Sequence, residues 1–229
     1  MLDSRNIFFT SFLAIFPMLF TCAFSQQDPQ ITHNMFNKFM YNPAVAGAYP
    51  ELHATLLHRS QWVGIEGAPN TSNLNAHAYV GQIKGGVGVN VINDRIGAEN
   101  TKTISMSYAY QLGLGSYQLG MGLSFGFLQR GYEVSEWIGP DGTSDVSLPQ
   151  PGSSKGVPDM GLGLYFTSEN FYAGLSASHM IPQELDFNGT ATVQIVPHYY
   201  FLAGYDYDLT EDFSLRANIF SKTDGIAFQ

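Results

Sequence analysis

From Asn73 to Phe220 apolar and polar residues alternate at every second position, and one of the two faces this creates is fit for hydrocarbon. Tyr117, Leu119, Met121, Leu123, Phe125 and Phe127 interleave with Gln118, Gly120, Gly122, Ser124 and Gly126. Successive side chains of a strand point to opposite faces, so this stretch has one greasy face and one small, polar face. Leu74, Ala76, Ala78 and Val80 oppose Asn73, Asn75, His77 and Tyr79 in the same way, and Met160, Leu162, Leu164 and Phe166 oppose Gly161, Gly163, Tyr165 and Thr167. Phe171, Ala173, Leu175 and Ala177 oppose Tyr172, Gly174, Ser176 and Ser178, while Phe213, Leu215, Ala217 and Ile219 oppose Ser214, Arg216 and Asn218. The apolar face of the last four of these strands carries no charge. Lys or Arg at a bilayer midplane costs ~2–4 kcal/mol, whereas Arg216 facing a wet lumen costs little.

The pattern predicts nine strands, at 52–59, 72–80, 84–92, 101–111, 116–128, 159–167, 170–178, 195–207 and 211–221. Strand 1 is the least regular, because Leu56 and Leu57 are adjacent. Connections at 81–83, 112–115, 168–169 and 208–210 are tight, and those at 60–71, 93–100, 129–158 and 179–194 are longer. Alternating tight and long connections are the habit of outer-membrane barrels, with short periplasmic turns and longer surface loops. On this reading the mature N-terminus is periplasmic and the first strand runs outward. The expected fold is all-β, an antiparallel transmembrane β-barrel of the bacterial outer membrane. A soluble two-sheet sandwich would also alternate, but its solvent face would carry Lys and Glu rather than Gly, Ser and Asn. Single-chain bacterial barrels have even strand counts, so nine strands imply either further strands C-terminal to these or one contributed by residues 26–51.

Composition and charge sharpen this picture. Arg5 precedes an apolar run from Ile7 to Phe20, and Ala23-Phe24-Ser25 places small residues where a signal peptidase requires them. Residues 1–25 are therefore expected to be a signal peptide, 26–51 an N-terminal periplasmic or lumenal segment, and 52–229 the barrel. Cys22, the sole cysteine, falls within the leader, with Thr21 a poor residue for lipoprotein processing. Downstream, no run approaches the roughly 18 apolar residues of a membrane-spanning helix. The net charge of −9 and the scarcity of clustered Lys and Arg exclude nucleic acid as a partner. Thirteen Tyr and seventeen Phe, several near proposed strand ends, suit interfacial girdles.

The N-terminal region carries the most specific motifs: Gln27-Asp28-Pro29-Gln30, Met35-Phe36-Asn37 and Asn42-Pro43-Ala44-Val45-Ala46-Gly47. They are followed by Arg59-Ser60-Gln61-Trp62-Val63-Gly64, Gly67-Ala68-Pro69, Asn93-Asp94-Arg95-Ile96-Gly97 and Pro158-Asp159-Met160-Gly161-Leu162-Gly163. This series resembles the PorP/SprF family of outer-membrane proteins associated with type IX secretion, from about Gln27 to Ile226. The resemblance implies a secretion accessory that helps export and surface attachment of an adhesin or other client, with the periplasmic ring of the same machine as a further partner. It further implies partner-binding positions at Asp28, Pro29, Phe36, Asn42, Pro43 and Gly47, with Arg59, Gln61 and Trp62 at the first long loop.

Catalytic chemistry finds little footing. His33, His53, His58, His77, His179 and His198 show no two-His spacing with a carboxylate between, so spacing points to no metal site and no cofactor. Ser124, His77 and Asp206 can be assembled on paper as a Ser/His/acid set, but any barrel lumen holds such residues. An enzyme is not expected. The competing reading is a passive porin for small solutes; inward Gly and Tyr argue instead for a narrow lumen, filled or plugged by residues 26–51.

Overall fold

The computed structural model describes residues 28–29, 31–133, 152–187, 191–210 and 213–225. The expected signal peptide over 1–25 lies outside them, as does the centre of the expected 129–158 loop. Eleven strands are described: β1 (His53–Ser60), β2 (Asn70–Val80), β3 (Gly85–Ile96), β4 (Glu99–Leu114), β5 (Tyr117–Tyr132), β6 (Ser154–Thr167), β7 (Phe171–Ser178), β8 (Gln183–Phe187), β9 (Ala191–Ile195), β10 (His198–Thr210) and β11 (Phe213–Thr223). Nine of them form one antiparallel sheet in the order β1-β2-β3-β4-β5-β6-β7-β10-β11, curled into a half-barrel, and β8 and β9 form a separate hairpin. Each predicted strand is present in that sheet.

The burial pattern is inverted relative to a water-soluble core. Asn73, Asn75 and His77 of β2 are buried on the concave side, while Leu56 is 77% exposed, Leu123 55% and Met106 72% on the convex side. Register aligns the convex side chains in rows, Val89 with Met106, Met106 with Phe125 and Leu164 with Leu175. On β5 the convex apolar run from Tyr117 to Phe127 covers ten residue steps, roughly 34 Å along a strand. At the roughly 40° tilt of such barrels that projects to about 26 Å, the height of a barrel's apolar band of about 25 Å. Aromatic rings mark the lower rim of this band: Tyr117 stacks on Phe166 at 5.5 Å, Phe166 lies 6.4 Å from Phe171, and Phe171 pairs in register with Tyr205.

Two connections differ from the expectation. The 93–100 segment is no long loop: β3 and β4 continue through it and join by a turn at 97–98, with Gly97 at φ 60°. Beyond the apolar band both faces turn polar, with Arg95 and Lys102 on the convex side, so alternation ends while the hydrogen-bond ladder continues. The 179–194 connection contains the β8–β9 hairpin, whose Leu185, Phe187 and Ile195 pack on Leu128 of β5 with Tyr132 and Val157 alongside.

The N-terminal segment contributes no strand among its described residues. It forms three 3₁₀ turns, Asn34–Phe36, Lys38–Met40 and Pro43–Val45, and lies against the concave face of the sheet. The last turn is set locally: the Asn42 side chain accepts a hydrogen bond from the Ala44 N–H at 2.9 Å, and Pro43 occupies the position where its missing N–H is harmless. Its direction is fixed by contacts at its two ends. Asp28 meets His179 and Lys222, at the long-loop ends of β7 and β11, and Gly47 meets Gly86 near the tight-turn end. The described part of the segment thus descends through the concave face before β1 begins, from Asp28 at the long-loop end to Gly47 near the tight-turn end.

Candidate functional site

The concave face and the segment it holds form the most elaborate arrangement in the molecule. At the tight-turn end the sheet offers bare backbone. A Cβ at Gly122 would lie 2.3 Å from the Ala44 nitrogen, and one at Gly86 would lie 2.2 Å from the Ala46 carbonyl carbon. Gly163 and Gly174 leave room for the Asn42 amide, and Gly88 for the Phe39 ring. Ala44, Val45 and Ala46 are fully buried there, so backbone packs on backbone. The polar groups this buries must find partners. Gln111 Nε2 donates to the Ala46 carbonyl at 2.6 Å and to the Ala44 carbonyl at 3.0 Å. Asn42 Nδ2 donates to the Leu164 carbonyl at 2.9 Å, and Ser176 Oγ to the Tyr41 carbonyl at 2.7 Å. Asn37 joins a buried amide network, donating to Asn73 Oδ1 at 2.8 Å and accepting from Asn75 Nδ2 at 2.8 Å, with Asn73 donating to Asn90 at 2.6 Å.

At the long-loop end side chains replace glycine. Thr71 Oγ1 donates to Asp94 Oδ1 at 2.5 Å, and buried Arg130 pairs with Glu99 at 3.1 Å. A cavity of about 80 Å³ lies between these groups and the segment, lined by Asn90, Thr103, Ser105, Ser124, Asp159 and their neighbours. The β8–β9 hairpin closes over this region through its contact with Leu128 and Val157.

Asp28 sits in a knot of charge. One carboxylate oxygen receives His179 Nε2 at 2.9 Å and the other receives the Tyr200 hydroxyl, while Lys222 Nζ donates to its backbone carbonyl at 3.0 Å. The other His179 nitrogen, Nδ1, meets Asp159 Oδ1 at 3.0 Å. A left-handed backbone at His179, φ 53°, ends β7 and turns its ring inward. Burial works against a charge on His179, but the carboxylates of Asp28 and Asp159 outweigh it and push its pKa up to about 10. Burial likewise works against Asp28, yet His179, His198 and Lys222 hold its carboxyl well below the usual range. Burial pushes the Tyr41 hydroxyl up to about 12.

The residues singled out from sequence divide into three groups. Asp28, Asn42, Pro43 and Gly47 are structural members of the interior segment, and Pro29 lines the cavity. Arg59 is half-buried on the concave side of β1. Phe36 and Trp62 are the exposed ones, Trp62 at 67%. Trp62 lies in a compact loop in which the Gln61 N–H bonds the Pro69 carbonyl at 3.0 Å and Trp62, Gly64 and Gly67 all take positive φ. Val63 and Ile65 stand exposed beside it, and the loop leans on the β3–β4 turn through a bond from the Gly97 N–H to the Gly67 carbonyl at 2.8 Å.

The paper triad is not assembled. Ser124 lines the cavity; His77 packs on Phe39 at 4.8 Å and meets the Gly47 N–H; Asp206 is engaged by Arg216 at 2.6 and 2.7 Å. What sequence reasoning missed was the Asp28–His179–Asp159 knot, whose members are too far apart in the chain for any spacing rule.

No curated protein and no solved structure matches this chain. A family does: the type IX secretion system membrane protein PorP/SprF family matches residues 23–229, nearly the whole chain. With the antiparallel half-barrel and its apolar convex face in place, the match over most of its length shows that the chain belongs to the PorP/SprF family of type IX secretion system membrane proteins.

Proposed function

We propose that the protein is a non-enzymatic outer-membrane accessory of type IX secretion that binds a secreted client, such as an adhesin, and helps its export and attachment at the cell surface. The mature chain begins at Gln26 after signal-peptide cleavage, the convex face is bathed in lipid, and the periplasmic ring of the machine is the second partner. The observation that supports this over a solute channel is the interior segment: Phe39 and residues 44–48 pack into the concave face at its tight-turn end, and the β8–β9 hairpin leans over the other end. A filled interior leaves the exposed ends to do the work. Trp62, Val63 and Ile65 are apolar and held in a fixed loop, which suits recognition of a protein client, since aromatic anchors dominate such contacts.

The test is deletion of the gene in its native bacterium, followed by surface labelling of intact cells and by uptake of a small hydrophilic antibiotic. Loss of one or more surface-displayed type IX clients, with uptake unchanged, is expected. Unchanged surface proteins with slowed uptake would overturn the reading in favour of a porin.

A further inference from the structure

We propose that Asp28, His179 and His198 form a binding site for a borderline divalent transition metal of the zinc class. The three residues each offer one donor atom, and these atoms lie within 4.8 Å of one another. They come from three separate places: the N-terminal segment, the end of β7 and the start of β10.

The state of His198 points to a ligand. Its ring is 1% exposed, its Nδ1 lies 3.0 Å from the Val196 carbonyl, and its Nε2 has no hydrogen-bond partner among the described residues. A carbonyl can only accept, so Nδ1 carries the proton and Nε2 presents a bare lone pair in the interior. That is the tautomer and the nitrogen a metal takes. His179 is prepared in the same way: Asp159 Oδ1 holds its Nδ1 at 3.0 Å, the carboxylate–histidine pairing that orients metal-binding imidazoles and raises their basicity. Its Nε2 then faces Asp28 Oδ1 at 2.9 Å.

The carboxylate is oriented too. Tyr200 holds the second oxygen of Asp28 and Lys222 holds its backbone carbonyl, so the third donor is fixed by partners of its own. Two imidazole nitrogens and one carboxylate oxygen are a donor set zinc accepts, at about 2.0–2.2 Å from each. Seating the ion requires the Asp28–His179 contact to open by a few tenths of an ångström and the His198 ring to shift inward, so that separations of up to 4.8 Å close toward the roughly 3.4 Å edge of a tetrahedral site, with the shared proton leaving to solvent. The cavity bordered by Asp28, Asp159 and His179 supplies room for a water as the fourth ligand. A metal here would tie the start of the interior segment to the long-loop ends of β7 and β10.

The site can be tested on the tag-free, full-length chain folded in detergent and stripped with a chelator, titrated with Co(II) and then Zn(II). One Co(II) per chain, with the intense visible bands of four-coordinate cobalt and displacement by one Zn(II), is expected. X-ray absorption at the zinc edge should show a shell of nitrogen and oxygen that includes two imidazoles. His198→Gln should weaken binding by at least tenfold and Asp159→Asn by roughly 10- to 100-fold. His58→Gln, on the convex side, should leave it unchanged. Failure of folded wild-type protein to take up a stoichiometric ion, a shell without imidazole, or wild-type affinity in a folded His198→Gln variant would each overturn the proposal. The wild-type stoichiometry and absorption spectrum decide the matter even if a variant does not fold.

Discussion

At the tight-turn end of the concave face, Gly86, Gly120, Gly122 and Gly163 let the N-terminal segment lie directly against the strands, and the contact is close. At the long-loop end, Asn90, Asp94, Thr103, Ser124 and Arg130 keep the same segment at a distance across a polar cavity, and Asp28 is reached by charged partners instead. One end is held by close backbone packing with neutral hydrogen bonds from Gln111, Asn42 and Ser176, the other by charged partners beside a polar cavity. Shape leaves no slack, because a single added carbon meets main-chain atoms; a hydrogen-bonded polar chamber can rearrange side chains and take up water.

The largest effect should come from adding bulk on the shape side. Gly122→Val puts carbon 2.3 Å from the Ala44 nitrogen and 2.5 Å from the Pro43 carbonyl carbon, neither of which can move without shifting the whole segment. Overpacking of this kind costs about 1–3 kcal/mol and more where backbone is the obstacle. Gly161→Ala is a milder change on the cavity side: its Cβ meets the Ser124 hydroxyl at 2.5 Å, a group that can rotate away, and the Ala177 carbonyl oxygen at 3.1 Å. Heat-modifiability on gels and protease protection of residues 31–47 should be lost in Gly122→Val and nearly kept in Gly161→Ala. Equal losses in the two would show that the ends are packed alike.

Next in size is the difference between the two faces of one strand. Leu123 and Ser124 are neighbours on β5, one 55% exposed on the convex side and one lining the cavity. Leu123→Arg should cost ~2–4 kcal/mol of stability if that face meets hydrocarbon. Ser124→Asn, a polar side chain among polar neighbours, should cost well under half as much. Folding into lipid vesicles across a urea series reads both values. A Leu123→Arg variant that folds as readily as wild type would mean that the convex face is not in lipid.

Period-two alternation made the nine main strands and their facing legible, because an exposed apolar face and an opposite face of small polar groups leave a mark at every second residue. Where the apolar face ends the mark ends, which is why the continuation of β3 into β4 through Asp94 and Arg95 read as a loop. The β8–β9 hairpin did leave a signal that was passed over: Leu185 and Phe187 alternate with Glu184 and Asp186, and Asn188-Gly189 is a strong hairpin dipeptide. Inward glycines leave the room that the N-terminal segment takes on the concave face, but what they contact is fixed by long-range packing rather than by local pattern. The Asp28 knot lies at the far end of that invisibility. Asp28 and His179 are 151 residues apart, and nothing in the period of either neighbourhood marks them as partners.

The smallest effect belongs to Lys38, which sits where the shape-held segment meets charge. Its ammonium lies 3.6 Å above the Tyr172 ring of β7, and the groups facing it are the bidentate pair Arg216 of β11 and Asp206 of β10. Burial first, and the positive charge of Arg216 second, pull its pKa down to about 8 from the ordinary 10.5, with Asp206 opposing. Below about pH 8 Lys38 is charged whether the segment is docked or not, and the whole cost of burying that charge is present. Between about 8 and 10.5 the undocked lysine still holds its proton and the docked one has released it, so docking strengthens as pH rises through that window and levels off above it. Protease protection of residues 31–47 should therefore increase modestly from pH 7.5 to 10.5. Tyrosines begin to ionise at the top of this range, so the informative quantity is the difference from Lys38→Met, which keeps the apolar stem and removes the charge. That variant should be better protected than wild type at pH 7.5, and the gap should close as pH rises. A gap that stays constant with pH, or Lys38→Met less protected than wild type at pH 7.5, would mean that the ammonium stabilises docking through the Tyr172 ring and that charge, not shape, holds this part of the segment too.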